Sequence, residues 1–242
     1  MSSDRPRPFL DHLEEFRLRV LYSLAWITVF SVASYFFVDP ILNWLARPVG
    51  EFVFMTPTEA LFIRLKIALG VGTIVGFPFA LFQLWRFIDI ALERKERSLA
   101  LFTVPASSIL FFIGMAVAVF GVAPVAVKFL LTFSSPTLRP LISIEAYLSF
   151  LFWMIIGFGV FFQLPLVVVA LCAAGVVQAS TLSSYRRHII VGIFILAAVL
   201  TPGPDFFSQL LLGIPAYLLF ELSLLVAHRV QKEKRVRSNQ SE

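Results

Sequence analysis

Two short stretches of this 242-residue chain interleave carboxylates with basic groups: Asp11-His12-Leu13-Glu14-Glu15-Phe16-Arg17-Leu18-Arg19 and Glu93-Arg94-Lys95-Glu96-Arg97. Carboxylates so placed can bind a cationic ligand, in bidentate fashion when the ligand is a guanidinium. The spacing leaves a plainer use open. Glu15 and Arg19 are four residues apart, and on an exposed helix such a pair is an ordinary solvated contact worth a few tenths of a kcal/mol. The other reactive side chains are sparse. His12, His188 and His228 lie far apart at the ends of apolar runs and read as interfacial polar groups. Cys172 is the single cysteine, so neither an intramolecular disulfide nor a zinc site built on cysteine pairs is possible. The sequence has no P-loop, no GxGxxG, no HExxH and no GxSxG, so phosphate cradling, zinc hydrolysis and esterase-type nucleophilic attack lack their usual residues. Neither an enzyme activity nor a cofactor or metal is expected.

The elements that must hold these groups are apolar helices. Hydrophobic residues make up 59% of the chain, charged residues 14%, and the mean hydropathy is +0.88, more apolar side chain than one water-solvated fold of this size can hide. The expected fold is an all-α membrane protein, a single domain over 1–242 with six transmembrane helices. Spans are expected near 20–38, 67–85, 99–127, 146–175, 189–200 and 206–227. Pro78, which lacks a backbone N–H, is expected to kink the second span. The third run exceeds what a perpendicular helix needs, so it must tilt, bend or extend beyond the bilayer. The fourth should stop near Gly175, where polar residues begin. Helices five and six read as a short hairpin, because Ile189 to Leu200 gives only about 18 Å of helix before Thr201-Pro202-Gly203-Pro204, and a concave arrangement follows from that shortness. Of the 20 Lys and Arg residues, fifteen lie before the first span, in alternate connections and in the basic tail 229–242. Those segments are expected in the cytoplasm, giving an N-in/C-in topology. The basic balance, net +5, is thus an orientation signal and not a nucleic-acid footprint. No cleavable signal pattern is expected at the start of the chain, and Phe-Gln-Leu, which recurs at Phe82 and at Phe162, has different surroundings and marks no internal repeat.

Several motifs in order resemble the TatC family, the multispanning receptor subunit of the twin-arginine protein translocase. They are His12 to Arg19, similar to the family's H-L-x-E-L-R-x-R; Thr56-Pro57-Thr58-Glu59-Ala60 leading to Arg64 and Lys66; Phe82-Gln83-Leu84-Trp85-Arg86-Phe87 followed by Glu96-Arg97; and Thr201-Pro202-Gly203-Pro204-Asp205 with Ser208-Gln209. The resemblance implies a bacterial inner-membrane protein that binds the signal peptides of folded precursors and exports them with the proton-motive force. TatA- and TatB-like single-span proteins and self-association in a larger complex are implied as well. It assigns signal-peptide binding to Glu15, Glu96 and Phe87, and motif or structural roles to Arg17, Pro48, Pro78, Pro202 and Asp205. Gln163 falls at a position where relatives often carry glutamate facing a partly wet groove, to which Glu221 is also assigned. Asp89-Ile90 stands where many members have proline. The residues alone leave a competing class, a small-solute transporter or channel with Gln83, Gln163 and Glu221 along a midplane path.

Overall fold

Only a helix or a closed barrel satisfies its own backbone in lipid, and among the described residues every regular segment of this chain is helical. The computed structural model describes residues 9–46, 56–91, 97–133, 143–201 and 206–239. In order, these are α1 (Phe9–Tyr35), α2 (Val38–Ala46), α3 (Pro57–Ala91), α4 (Arg97–Ala116), a π-helical segment (Val117–Val122), α5 (Ala123–Leu131), α6 (Ile144–Phe161), α7 (Leu164–Ala173), α8 (Ala179–Ser184), α9 (Arg186–Leu200) and α10 (Phe206–Asn239). Among the described residues, five stretches are long and apolar enough to cross a membrane: Leu13–Tyr35, Thr58–Phe87, Thr103–Leu131, Ile144–Ala173 and Phe206–Lys232. The chain divides into two compact units, Met1–Leu45 with Ala60–Ser108, and Ala46–Glu59 with Ile109–Glu242, the border crossing α3 and α4.

In the first unit α1 begins well before its apolar run and stops at Tyr35, where Phe36 and Phe37 turn the chain into α2. Pro40 sits in the first turn of α2, where a missing N–H is no loss. Three hydroxyls of α1 are spent within the helix: Ser23, Thr28 and Ser31 donate to the carbonyls of Arg19, Leu24 and Ile27 at 2.9, 2.8 and 2.7 Å. Helix α3 packs on α1 along Gly72-x-x-x-Gly76. A Cβ at Gly72 would fall on the backbone of Ser31, and one at Gly76 would lie 3.2 Å from Ile27 Cα. Without a hydrophobic drive between helices in lipid, such close approach is what holds a pair together. Trp26, Phe30 and Phe79 stack beside it, with centroids 4.9 Å (Trp26 to Phe79) and 5.2 Å (Phe30 to Phe79) apart. Arg64 clasps Asp39 through Nη2 at 2.8 Å and Nη1 at 3.4 Å. Trp85 Nε1 donates to the buried Ser107 Oγ at 3.3 Å, tying α3 to α4. Pro78 lies inside α3, which runs on through Asp89 and Ile90 to Ala91.

In the second unit α3 starts on a capping box. Pro57 is the first helical residue, the Thr56 N–H donates to Glu59 Oε2 at 3.4 Å, and Glu59 Oε1 accepts from Ser143, the N-cap of α6, at 3.3 Å. The third apolar stretch is wound as a π-helix over Val117–Val122 just ahead of Pro124, with Ala123 N–H donating to Ala118. The fourth is broken at Phe162-Gln163, ahead of Pro165 at the start of α7. It ends two residues before Gly175, whose φ of +75° admits little but glycine. Gly175 N–H donates to Cys172 and Val176 N–H to Leu171, the paired bonds of a Schellman stop. Gln231 of α10 then secures this corner, donating to the carbonyls of Cys172 and Val177 at 3.2 and 3.0 Å and accepting from Ala179 N–H at 3.0 Å.

The expected shortness falls on α9 alone. Its 15 residues give about 22 Å of helix against a hydrocarbon core of roughly 30 Å. Helix α10 is 34 residues long, because the segment after Ala227 is rich in Lys, Glu, Arg and Gln, which favour helix, and the basic tail continues the span to Asn239. It packs on α6, α7, α8 and α9.

Candidate functional site

Residues one helical turn apart share a face, so α1 presents Glu15 and Arg19 together. Arg19 Nη2 donates to Glu15 Oε1 at 3.0 Å, and Arg19 Nη1 donates to Gln83 Oε1 on α3 at 2.9 Å. The guanidinium fork therefore bridges two helices. Both charged side chains are mostly covered, 17% exposed for Arg19 and 19% for Glu15, whereas Glu14 next to them is exposed. One residue further along α1, the Phe16 ring packs on Phe87 of α3 with centroids 5.4 Å apart and planes at 59°. Arg86 lies 6.0 Å over the Phe82 ring. The result is a carboxylate already paired with a guanidinium, an amide acceptor across from it, and an aromatic pair beside it, all held in register by the Gly72–Gly76 contact further along the same two helices.

Of the residues singled out from the sequence, Glu15 and Phe87 come together through this α1 and α3 pairing. Arg17 is exposed on α1. Glu96 and its neighbour Glu93, with Pro48, Pro202 and Asp205, lie outside the described residues. In the second unit Gln163 sits at the break in the fourth apolar stretch. Its backbone N–H has moved to the Val160 carbonyl, and its side-chain Nε2 donates to the Gly159 carbonyl that the break released, at 3.4 Å. Glu221 accepts from Tyr217 Oη at 2.9 Å and from Arg186 Nη2 at 3.1 Å, so its charge is balanced by the first residue of α9. Gln209, named in the sequence only as part of a motif, donates to the Phe194 carbonyl at 2.9 Å. Gln83 as the second partner of Arg19 was not read from the sequence. Its position in a helix facing a second helix is settled by the glycine spacing at 72 and 76, a signal present in the sequence but informative only once the partner helix is known. Among the described residues no three His, Cys, Asp or Glu side chains converge as metal ligands.

Helices of this length and apolarity, with their polar side chains turned back onto their own backbones and a carboxylate and guanidinium network on the first of them, define a polytopic helical membrane protein. Residues 11–215 match the family model for the Sec-independent protein translocase protein TatC. The Sec-independent protein translocase protein TatC of Carboxydothermus hydrogenoformans is 37% identical, over 96% of this chain and 97% of that protein. The Escherichia coli K12 protein of the same name is 35% identical, over 93% and 89%. The crystal structure of the twin arginine translocase receptor TatC superposes with a TM-score of 0.82 at 35% identity, covering 90% of this chain and 99% of that one. The chain belongs to the TatC family.

Proposed function

We propose that this chain is the signal-peptide receptor of a Sec-independent translocase, and that Glu15 and Glu96 take the paired arginines of the signal while Phe87 packs beside them. The observation that carries this reading is the Arg19 guanidinium held 3.0 Å from Glu15. That spot is shaped for a guanidinium donor and, being largely covered, damps Coulomb attraction less than open water does. Two guanidinium groups call for two carboxylates, and the planar fork of arginine suits them better than the ammonium of lysine. The chain sits in the inner membrane with both termini in the cytoplasm, in line with the segregation of its basic residues. TatA- and TatB-like single-span proteins join it, several copies assemble, and the proton-motive force drives export, since no nucleotide-binding motif is present in the sequence. Gln163 and Glu221 face a partly wet groove.

The test is binding of a twin-arginine precursor to Glu15→Gln, Glu96→Gln, Glu14→Gln and Glu93→Gln, with a twin-lysine signal as reference. Each lost arginine and carboxylate contact is worth about 1.5 to 3 kcal/mol, so Glu15→Gln and Glu96→Gln should each weaken binding roughly ten- to a hundredfold. Glu14→Gln and Glu93→Gln should change little. Equal losses in all four, or normal binding by Glu15→Gln, would refute the assignment.

A further inference from the structure

Beyond their close contact at Gly72 and Ser31, α1 and α3 bound an open groove. Side chains larger than glycine stand between the helices there, Val32, Tyr35 and Phe36 on one side and Leu65 and Leu69 on the other, with the buried Ala68 as its floor. The groove has a volume of about 400 Å³, within the range of small-molecule sites. Its lining is almost wholly apolar, and the Ser31 hydroxyl at its base is spent on the Ile27 carbonyl at 2.7 Å. Val32, Tyr35, Leu65 and Leu69 belong to two stretches long and apolar enough to cross a membrane, so the groove faces hydrocarbon. One turn before Ala68, next to Leu65, stands Arg64. Its Nη2 and Nη1 reach Asp39, three residues beyond Phe36, at 2.8 and 3.4 Å. Both side chains of this pair stay open, 46% exposed for Arg64 and 63% for Asp39.

We propose that the groove holds one acyl chain of a phospholipid with an ethanolamine headgroup, its phosphate on Arg64 and its ammonium on Asp39. The site lies at the end of α1 opposite Glu15 and Arg19, and the proposal does not depend on the receptor reading.

A concavity facing hydrocarbon forfeits dispersion contacts along its lining unless something threads into it. A flexible acyl chain does so without bringing a polar group to satisfy. A helix of another protein is the competing apolar occupant, and the charged mouth decides between them. A cation and an anion, neutral in sum and both open, match a headgroup that also carries one of each and is neutral in sum. Exposed ion pairs are held weakly, so this one opens to a headgroup at small cost. That cost, and the phosphate contact with Arg64, are the same for every phospholipid. Preference is therefore decided by what Asp39 meets afterwards. The ethanolamine ammonium donates N–H bonds to the carboxylate, whereas a choline headgroup has the charge but no N–H, and a glycerol headgroup has no cation and leaves its phosphate charge unbalanced beside Asp39.

The experiment uses the full chain, purified in detergent and stripped of lipid. It is titrated with phosphatidylethanolamine, phosphatidylcholine and phosphatidylglycerol of identical acyl chains, and bound lipid is counted by native mass spectrometry. The ethanolamine lipid should bind about two- to fivefold more tightly than the other two. Asp39→Asn should bring it to the level of the choline lipid, and Arg64→Gln should weaken all three. Val32 is exposed on the rim, so Val32→Trp puts a ring in the groove without disturbing the fold; it should weaken all three about tenfold and leave the preference intact. In native membranes, a photoreactive label on Val32→Cys should attach to lipid.

Equal affinities for the three lipids in the parent chain overturn the proposal, as does an ethanolamine preference that survives Asp39→Asn. Binding unchanged in Val32→Trp places the lipid elsewhere and overturns it too. A label at position 32 that attaches to a protein helix and not to lipid gives the groove to the competing occupant.

Discussion

The contact between α1 and α3 can be tested by adding one methyl group at a time. Gly72→Ala would put a Cβ onto the backbone of Ser31, which no side-chain rotation relieves, so the two helices must part. Overpacking of this kind costs about 1–3 kcal/mol. Gly76→Ala meets Ile27 Cα and Cγ1 at 3.2 Å, an overlap that a shift of a few tenths of an ångström removes, and should cost less, under about 1 kcal/mol. Gly192, exposed in α9 with nothing within 4 Å of an added Cβ, provides the reference. There alanine gains up to about 1 kcal/mol from helix propensity and loses nothing. For a chain of this size 1 kcal/mol moves the unfolding midpoint by roughly 2–4 °C. Gly72→Ala should therefore unfold roughly 2–12 °C below the parent in detergent, Gly76→Ala slightly below it, and Gly192→Ala at or above it. Because Phe16 to Phe87 and Arg19 to Gln83 span the same two helices, Gly72→Ala should also weaken ligand binding, while Gly192→Ala should not. Gly72→Ala as stable as Gly192→Ala would show that these helices are not in close contact and that the site is positioned by something else.

Gln231→Leu strips one partner from each of three backbone groups, so it should destabilise the protein by about 1–3 kcal/mol and speed hydrogen exchange of the Ala179 amide; unaltered exchange there would dismiss the staple. Gln163→Leu leaves the Gly159 carbonyl without its side-chain donor and should lower the unfolding midpoint by a few degrees; an unchanged midpoint would show that this bond contributes nothing to stability. Reporter fusions after Gly50, Thr137 and Gly203 should be external and those after Ser183 and the carboxyl terminus internal; a cytoplasmic signal from the Thr137 fusion would overturn the proposed topology.

Some of this was legible in the residue types. Apolar runs bounded by charges coincide with the five helices long and apolar enough to cross a membrane among the described residues, and Gly175 marked the end of the fourth because polar residues and a left-handed glycine coincide there. The break inside that stretch was hidden, since Phe162 and Gln163 look like any span interior, and only Pro165 hints that a backbone bond is missing. The helical tail was hidden for the opposite reason. A basic, polar run reads as solvated tail, and its helix propensity shows only when a span is there to propagate from. At the site, the residues of α1 could be paired from their i,i+4 spacing, whereas Gln83 could not, because it lies 64 residues away and no period links two helices before their contact is known.

The hard stop at Gly175 has a consequence for how the fourth membrane stretch meets bilayers of different thickness. The next residues, Val176 and Val177, are apolar and could in principle be drawn into a longer span. They cannot join the helix, because the Schellman bonds use the carbonyls of Leu171 and Cys172 and a left-handed residue reverses the chain. Length at this end is thus set by backbone geometry and not by where hydrocarbon gives way to water. In a thicker membrane this helix has no reserve to recruit, so lipid must deform around it or the whole protein must settle at a different depth.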